Sequence, residues 1–148
     1  VQYLIVKVTM DPLSFKSNPI IARGEEDEYF SLAAKKSLHI QQCAECKSYI
    51  FYPRGACPDC LSLSLNWVKS NGTGEVFTFT IHYRYPEYLS DSDPYAIGIV
   101  QLDEGVRVLS RILGDPDKVF IGMRVRVVYI DTGEGGTIPA FVSEAEPL

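Results

Sequence analysis

The feature that most constrains this chain is a pair of Cys-x-x-Cys motifs. The sequence has four cysteines, and they form Cys43-Ala-Glu-Cys46 and Cys57-Pro-Asp-Cys60. Each motif can turn two sulfurs toward one ion, so the two motifs together supply a tetrahedral set of thiolates, with Zn–S distances of about 2.3 Å. We therefore predict that Cys43, Cys46, Cys57 and Cys60 bind one structural zinc ion and organise a zinc ribbon over residues 38–66.

Other roles for four cysteines fit this pattern less well. Disulfides need an oxidising compartment, and no secretory signal is recognisable in the sequence. A redox motif would be a single, partly exposed pair, and four thiolates leave no open coordination position for catalysis. Iron is the alternative that stays open, because rubredoxin-like knuckles use the same ligands. Those knuckles usually carry glycine after the second cysteine, where this chain has Lys47 and Leu61, so the pattern favours zinc.

Composition and charge exclude several classes of function. The 148 residues are 46% hydrophobic, and no apolar run approaches the length of a membrane span. The net charge is −5, and residues 67–148 hold seven basic and twelve acidic side chains. A surface that follows a phosphate backbone should be basic, so nucleic acid is a disfavoured partner. We expect a cytoplasmic protein without a membrane partner, for which Met10 is a candidate native start.

The part of the chain before the cysteines predicts an arm and a helix. Residues 11–24 contain two prolines and several turn-forming residues, and they indicate an extended arm. Residues 25–37 begin with four acids and end with two lysines, which complements the helix dipole at both ends. Such a short helix must dock on this chain or on another one. We assign residues 1–37 to this arm and helix.

The part after the cysteines predicts a barrel. Alternating apolar and polar residues indicate strands over 75–84, 95–102, 106–113, 123–130 and 138–142, with one helical turn over 114–122. Five short strands with a helix between the third and fourth are typical of an OB-fold, which we assign to residues 67–148. The predicted fold class is therefore mainly β, with an N-terminal helix, a four-cysteine zinc ribbon and a five-stranded OB-fold barrel. In the first barrel strand, we expect one face to carry Phe77, Phe79, Ile81 and Tyr83.

No catalytic set is recognisable in the sequence. His82 is the one histidine in the barrel region, and no serine or cysteine there stands out as its nucleophilic partner. His39, before the first cysteine, is expected to pack in the ribbon. Between the cysteine pairs, Tyr49, Phe51 and Tyr52 are expected to cover the metal or to face a partner.

The arginines of the barrel are the other candidate binding residues. Arg124 and Arg126 alternate with valines, so both should leave the same face of their strand, and Arg107 and Arg111 should share a face in the same way. Arg84 is the last residue of the predicted first barrel strand. Arginine suits bidentate recognition of phosphate, as in coenzyme A. The more common arrangement is a solvated face with ion pairs to acids on neighbouring strands.

The order of these motifs resembles a known family, the rubredoxin-like zinc-ribbon plus OB-fold proteins that were long catalogued as a domain of unknown function. The resemblance covers residues 25–141. It is carried by the four cysteines together with Gln41, Pro53, Arg54, Pro58, Trp67, Gly72, Gly74, Gly122, Met123, Val125 and Val127. Lys47 departs from the glycine that is usual at its position.

This resemblance implies a non-catalytic subunit of a thiolase-type acyl-CoA enzyme complex. In the family, a thiolase-superfamily subunit supplies the catalytic residues for thiolytic or retro-aldol chemistry, and the zinc-ribbon subunit docks on it and helps to form the acyl-CoA site. The expected partners are a thiolase subunit, with two copies of each chain as one arrangement, and acyl-CoA as a shared ligand. Candidate ligand-binding residues are Arg54, Arg84, Arg124 and Arg126. The alternative is a zinc-ribbon and OB-fold protein that binds single-stranded nucleic acid.

Overall fold

In the part of the chain that the structure describes, the apolar residues form one α-helix, eight strands and a short 3-10 helix. The computed structural model describes residues 24–83, 94–131 and 136–145. Outside these ranges lie most of the predicted arm, Arg84, nearly all of the loop over 86–94 and part of the glycine-rich segment over 132–137. The described elements are α1 (Glu26–Ala34), β1 (His39–Cys43), β2 (Tyr49–Ile50), β3 (Leu65–Lys69), β4 (Thr73–His82), β5 (Tyr95–Leu102), β6 (Arg107–Leu113), a 3-10 helix (Pro116–Lys118), β7 (Arg124–Asp131) and β8 (Thr137–Ser143).

The ribbon is a small antiparallel sheet with strand order β2-β1-β3. β1 forms its centre, and Gln41 of β1 lies opposite Trp67 of β3. The expected boundary between residues 66 and 67 falls inside β3, so the first residues assigned to the barrel are hydrogen-bonded to the ribbon. The strand between the cysteine pairs, β2, ends at Ile50, so Phe51 and Tyr52 lie outside the ribbon sheet.

The barrel is closed in the order β4-β5-β6-β8-β7. Its pairs are antiparallel except for β6 and β8, which run parallel. Phe141, Val76, Val100 and Val125 point into its core and are fully buried. The 3-10 helix lies between β6 and β7, and its cap residue Asp115 accepts a hydrogen bond from the Asp117 backbone. The structure thus confirms the predicted mainly β class, with its ribbon and five-stranded OB-fold barrel.

A β-bulge in β4 makes the expected pattern of faces wrong. The register with β5 shifts between Val76 and Thr78, so Phe77 is an extra residue without a partner. Val76 therefore points inward and is fully buried, whereas Phe77 points outward and is 43% exposed. Beyond the bulge, Phe79 packs against the core as expected. A bulge reverses the alternation of inward and outward side chains, and strict period two cannot anticipate it.

Two glycines at the start of β4 permit the barrel to close. A Cβ atom on Gly74 would lie 2.3 Å from the Gln101 carbonyl oxygen, so only glycine allows β5 to approach this closely. Gly72 has a φ of +72°, a left-handed conformation that favours glycine. Its carbonyl accepts a hydrogen bond from the Val127 backbone, which joins the ribbon-to-barrel connection to β7.

The helix α1 docks on this chain through an aromatic cluster. Tyr29 and Ala33 are buried, and the Tyr29 ring lies 5.6 Å from Phe51 and 6.3 Å from Tyr52. Burial raises the pKa of Tyr29. Tyr29 also belongs to the same buried cluster as β1 and the barrel strands, so helix, ribbon and barrel share one core. Within the described residues, no helix is long and apolar enough to cross a bilayer.

Candidate metal centre and surrounding residues

The four cysteines converge on one point, as their spacing predicts. Their sulfurs all lie within 4.8 Å of one another. The Cys43 sulfur is 3.5 Å from that of Cys60, and the Cys46 sulfur is 3.6 Å from that of Cys57. A regular tetrahedron of sulfurs around zinc has edges of about 3.8 Å, as follows from the Zn–S bond length. The donor set and its spacing fit a four-coordinate zinc or iron ion.

The two cysteine motifs form two equivalent turns. The Cys43 backbone N–H donates to Ser48 and its carbonyl accepts from Lys47, while Cys57 makes the same bonds with Ser62 and Leu61. Lys47 has a φ of 64° and Leu61 a φ of 62°. These are the two positions where rubredoxin-like turns usually carry glycine, and the backbones of Lys47 and Leu61 adopt the left-handed conformation that glycine favours. The missing glycines are therefore compatible with a regular knuckle, and they do not distinguish zinc from iron.

The environment of the sulfurs favours a bound cation. A hydrogen bond from the Cys46 backbone N–H lowers the pKa of Cys43, and the Ser48 hydroxyl lowers the pKa of Cys46 to about 6. At Cys60, a hydrogen bond from the Ser62 backbone lowers the pKa, but the crowding of the other thiols outweighs it and raises the pKa to about 12. Four thiols this close repel one another when ionised, and a divalent cation relieves that repulsion.

Aliphatic side chains, and not the aromatic ones, cover the metal centre. Ile50 and Leu65 pack on the buried thiols of Cys43 and Cys57. Phe51 and Tyr52 instead turn away onto α1, where they contact Tyr29. The expectation that Phe51 and Tyr52 cover the metal is therefore wrong, because the chain leaves the ribbon sheet after Ile50.

Gln41 explains why the segment that carries Arg54 is held in place. The Gln41 side chain is buried, its Nε2 donates to the Arg54 carbonyl over 3.0 Å, and its Oε1 accepts from the Arg54 N–H over 2.8 Å. A primary amide can make both bonds at once, which an ionised carboxylate or an aliphatic side chain cannot do. The clamp fixes the Arg54 backbone beside the start of α1, where a Cβ atom on Gly55 would lie 2.7 Å from the Glu25 carboxylate. The Arg54 side chain is exposed.

The remaining candidate arginines differ in their surroundings. Arg124 makes a bidentate pair with Asp103, with N–O distances of 2.7 and 3.0 Å. Because of Arg124 and the Thr73 hydroxyl, the pKa of Asp103 is lowered to about 2. Arg126 is half-buried, and Arg84 lies outside the described residues. The structure does not bring Arg54 and Arg124 into one site, since Arg54 adjoins α1 and Arg124 pairs with the β5–β6 turn.

The two histidines lie in different parts of the fold, His82 in the barrel and His39 at the start of β1. The His82 ring stacks on Tyr95, with centroids 5.0 Å apart and planes 8° from parallel. His39 Nδ1 lies 3.1 Å from the Ser37 carbonyl, at the edge of the ribbon. Across the described residues, the four cysteines form the one cluster of ligating side chains that could hold a metal.

Sequence reasoning missed an arrangement on the outside of the barrel. The guanidinium of Arg107 lies 3.6 Å from the centre of the Phe77 ring, and that of Arg111 lies 4.6 Å from the Tyr95 ring. The contact of Arg111 with Tyr95 could have been found from the strand pairing, because Arg111 lies opposite Ile97 and Tyr95 is two residues before Ile97 on the same face of β5. The first depends on the bulge that turns Phe77 outward, for which the alternating pattern gives no signal.

Comparison with known proteins agrees with this architecture. Residues 31–66 match the family model described as the ChsH2 rubredoxin-like zinc ribbon domain, and residues 67–129 match the ChsH2 C-terminal OB-fold domain. A DUF35 domain-containing scaffold protein of Methanothermobacter thermautotrophicus is 33% identical over 102 residues, which are 66% of this chain and 77% of that protein. The chain belongs to the ChsH2/DUF35 family. The predicted family is thereby confirmed.

Two further relatives are longer than this chain, and a solved structure of an aldolase contains a similar chain. A probable enoyl-CoA hydratase alpha subunit of Thermomonospora curvata is 32% identical over 88% of this chain, which spans 40% of that protein. A 3-oxo-4,17-pregnadiene-20-carboxyl-CoA hydratase alpha subunit of Mycobacterium tuberculosis is 45% identical over 47% of this chain, and the match spans 22% of that protein. Among solved structures, a chain of the Ltp2-ChsH2(DUF35) aldolase superposes with a TM-score of 0.76 and 32% identity, covering 85% of this chain and 98% of that one.

Proposed function

We propose that this chain is a non-catalytic, zinc-binding subunit of an acyl-CoA enzyme complex. The observation that carries the proposal is the likeness to the chain of the Ltp2-ChsH2(DUF35) aldolase, which is matched over 98% of its length. Two relatives bear the names of alpha subunits of CoA-thioester hydratases. The candidate metal site supports a structural role, because four thiolates saturate the ion and leave no position for a substrate.

The partner in this proposal is a thiolase-type subunit that supplies the reacting groups. In the described residues, the His39 ring lies against the Ser37 carbonyl and the His82 ring stacks on Tyr95, and neither contact activates a nucleophile. Thiolytic or retro-aldol chemistry on an acyl-CoA would therefore take place in the other subunit. The zinc centre would hold the ribbon rigid, and the shared core would fix the ribbon against the barrel. The chain would thus present a preformed surface, which lowers the entropic cost of association.

Arg54 is the candidate in this chain for contact with the phosphates of acyl-CoA. Gln41 fixes its backbone through two hydrogen bonds, and its guanidinium is exposed. Arg124 is less available, because Asp103 occupies it in a bidentate pair. Arg54→Ala in the assembled complex should raise the KM for acyl-CoA and leave kcat nearly unchanged, and Arg54→Lys should retain part of the binding. An unchanged KM in both variants would remove Arg54 from the site.

Co-expression tests the proposal as a whole. The chain would be produced with thiolase-type subunits from the same genome, loaded with zinc, and separated by size exclusion with metal analysis. The proposal predicts co-elution with one such subunit and one zinc per chain. If the chain elutes without any of the thiolase-type subunits, the proposal is contradicted. Salt-dependent binding of single-stranded DNA or RNA by that chain would support the nucleic-acid alternative.

A further inference from the structure

The outside of the barrel carries a group of exposed apolar side chains that the fold does not require. Phe77 is 43% exposed, Leu109 71%, Phe120 60% and Ile121 68%. We refer to these four residues, with Arg107 among them, as the barrel flank. Isolated apolar residues at a surface are ordinary, but a contiguous group of this kind marks an interaction site.

The backbone contacts bring these residues together from three parts of the chain. The Gly122 N–H donates to the Val76 carbonyl over 2.8 Å, and the Val76 N–H donates to the Met123 carbonyl over 3.0 Å. These bonds hold the turn with Phe120 and Ile121 beside the bulge of β4. On the other side of the bulge, the Arg107 guanidinium lies over the Phe77 ring, and Leu109 follows on the same outward face of β6.

The bulge shows that this exposure is built into the fold. Before the bulge, Gly74 and Val76 are buried and Glu75 and Phe77 point outward; after it, Phe79 is the residue that turns inward. The bulge therefore leaves the aromatic ring of Phe77 toward solvent, on the opposite side from Phe79. Bulges re-aim side chains in this way next to binding sites.

Arg107 indicates the charge of the occupant. Its Nε donates to Gln101 over 3.3 Å, its guanidinium stacks on Phe77, and it forms no ion pair within the described part of the chain. Glu75 lies two residues before Phe77 on β4, and in the described residues it forms no ion pair with Arg107. A guanidinium that is held flat on an aromatic ring presents its N–H edge outward, where it suits a carboxylate.

We propose that the barrel flank is a docking surface for the partner subunit, which meets it with an apolar patch and at least one carboxylate opposite Arg107. This inference rests on the proposed function and adds which face of the chain is used. An arginine stacked on an aromatic ring in an apolar surround is the composition of an interface hot spot. A stable interface buries about 800 Å² on each side, so the flank forms its apolar centre and neighbouring residues form its rim.

The test measures binding of the zinc-loaded chain to the thiolase-type subunit that co-elutes with it. Leu109→Glu and Ile121→Glu should each weaken binding at least tenfold without loss of zinc, because both side chains are exposed in the free chain and the fold tolerates the change. Arg107→Glu should weaken binding more than Arg107→Lys, since only the former reverses the charge. Leu63→Glu in the ribbon is the matched control, because Leu63 is 79% exposed.

The possible outcomes separate this inference from the proposed function. If the wild-type chain binds the subunit and both flank variants bind equally well, the flank is not the docking surface and the proposed function stands. If the wild-type chain binds no acyl-CoA enzyme subunit, both proposals fail. Hydrogen exchange on the intact wild-type complex gives an independent measurement, with protection expected over residues 107–111 and 119–123. Protection confined to residues 57–65 would overturn the inference in favour of the ribbon.

Discussion

The clamp made by Gln41 allows the most detailed prediction about stability. Replacing Gln41 with methionine keeps the length of the side chain but removes one donor and one acceptor. Two hydrogen bonds are lost, at 3.0 and 2.8 Å, and each contributes about 1 kcal/mol net. The exposed Arg54 lets water reach part of its freed backbone, so we expect a total loss of about 2 kcal/mol in the free energy of unfolding.

Urea unfolding of the zinc-loaded protein measures this loss. With an m-value of about 2 kcal/mol per molar urea, the midpoint should fall by about 1 M. Gln42→Met is the matched control, because the neighbouring Gln42 makes a single exposed hydrogen bond of 3.3 Å to Lys47. That control should cost less than about 0.5 kcal/mol.

A glutamate at position 41 tests the same reasoning through pH. The Gln41→Glu side chain can still accept from the Arg54 N–H, but its carboxylate faces the Arg54 carbonyl. Protonation restores a donor, and burial also favours the neutral acid, so the pKa of this carboxyl should be raised in the folded state. The penalty relative to wild type should therefore increase as the pH rises above the unfolded value of about 4.3. If Gln41→Met lowers the free energy of unfolding by no more than Gln42→Met does, the clamp is refuted.

Three further predictions concern the metal centre and the barrel. Leu61→Gly should stabilise the protein by up to about 1 kcal/mol, because Leu61 has a φ of 62°, which favours glycine. Leu63→Gly is the control at an equally exposed position and should destabilise the protein. Thermal unfolding of both variants shows whether their stabilities change in opposite directions. Cys43→Ser should abolish stoichiometric zinc binding and unfold the ribbon, which metal analysis and circular dichroism would show, and an ordered ribbon without metal would contradict this. Asp103→Asn should be less stable than wild type above pH 4 and equal to it near pH 2. The pKa of Asp103 is lowered in the folded state, so its pairing with Arg124 stabilises the fold above the unfolded pKa and is lost as the pH falls to about 2. Thermal unfolding across pH checks this prediction, and a stability difference that does not depend on pH would contradict it.

The metal centre and the succession of strands along the chain could be predicted because the sequence signals for both are local. Two Cys-x-x-Cys motifs specify their geometry within a few residues, and the short turns between the barrel strands follow from glycine and proline. The helical turn over residues 114–122 was predicted from the same kind of local pattern, and the structure has a 3-10 helix there with Asp115 as its cap.

The inaccurate predictions depend on contacts between distant parts of the chain. The bulge at Phe77 lies where the turn at Gly122 bonds to Val76, 46 positions earlier. Phe51 and Tyr52 pack against Tyr29 of α1 and not against the ribbon sheet. The pairing of Arg124 with Asp103 joins β7 to the β5–β6 turn. Periodicity within a single strand contains no information about such pairs.

The proposed function assigns the acyl-CoA chemistry to another subunit. Turnover of an acyl-CoA substrate should be measured for the zinc-loaded chain alone, for the thiolase-type subunit alone, and for the two together. We predict no turnover by this chain alone and full turnover by the complex. Turnover by the isolated chain, or a thiolase-type subunit whose activity is the same with and without this chain, would refute the proposed function.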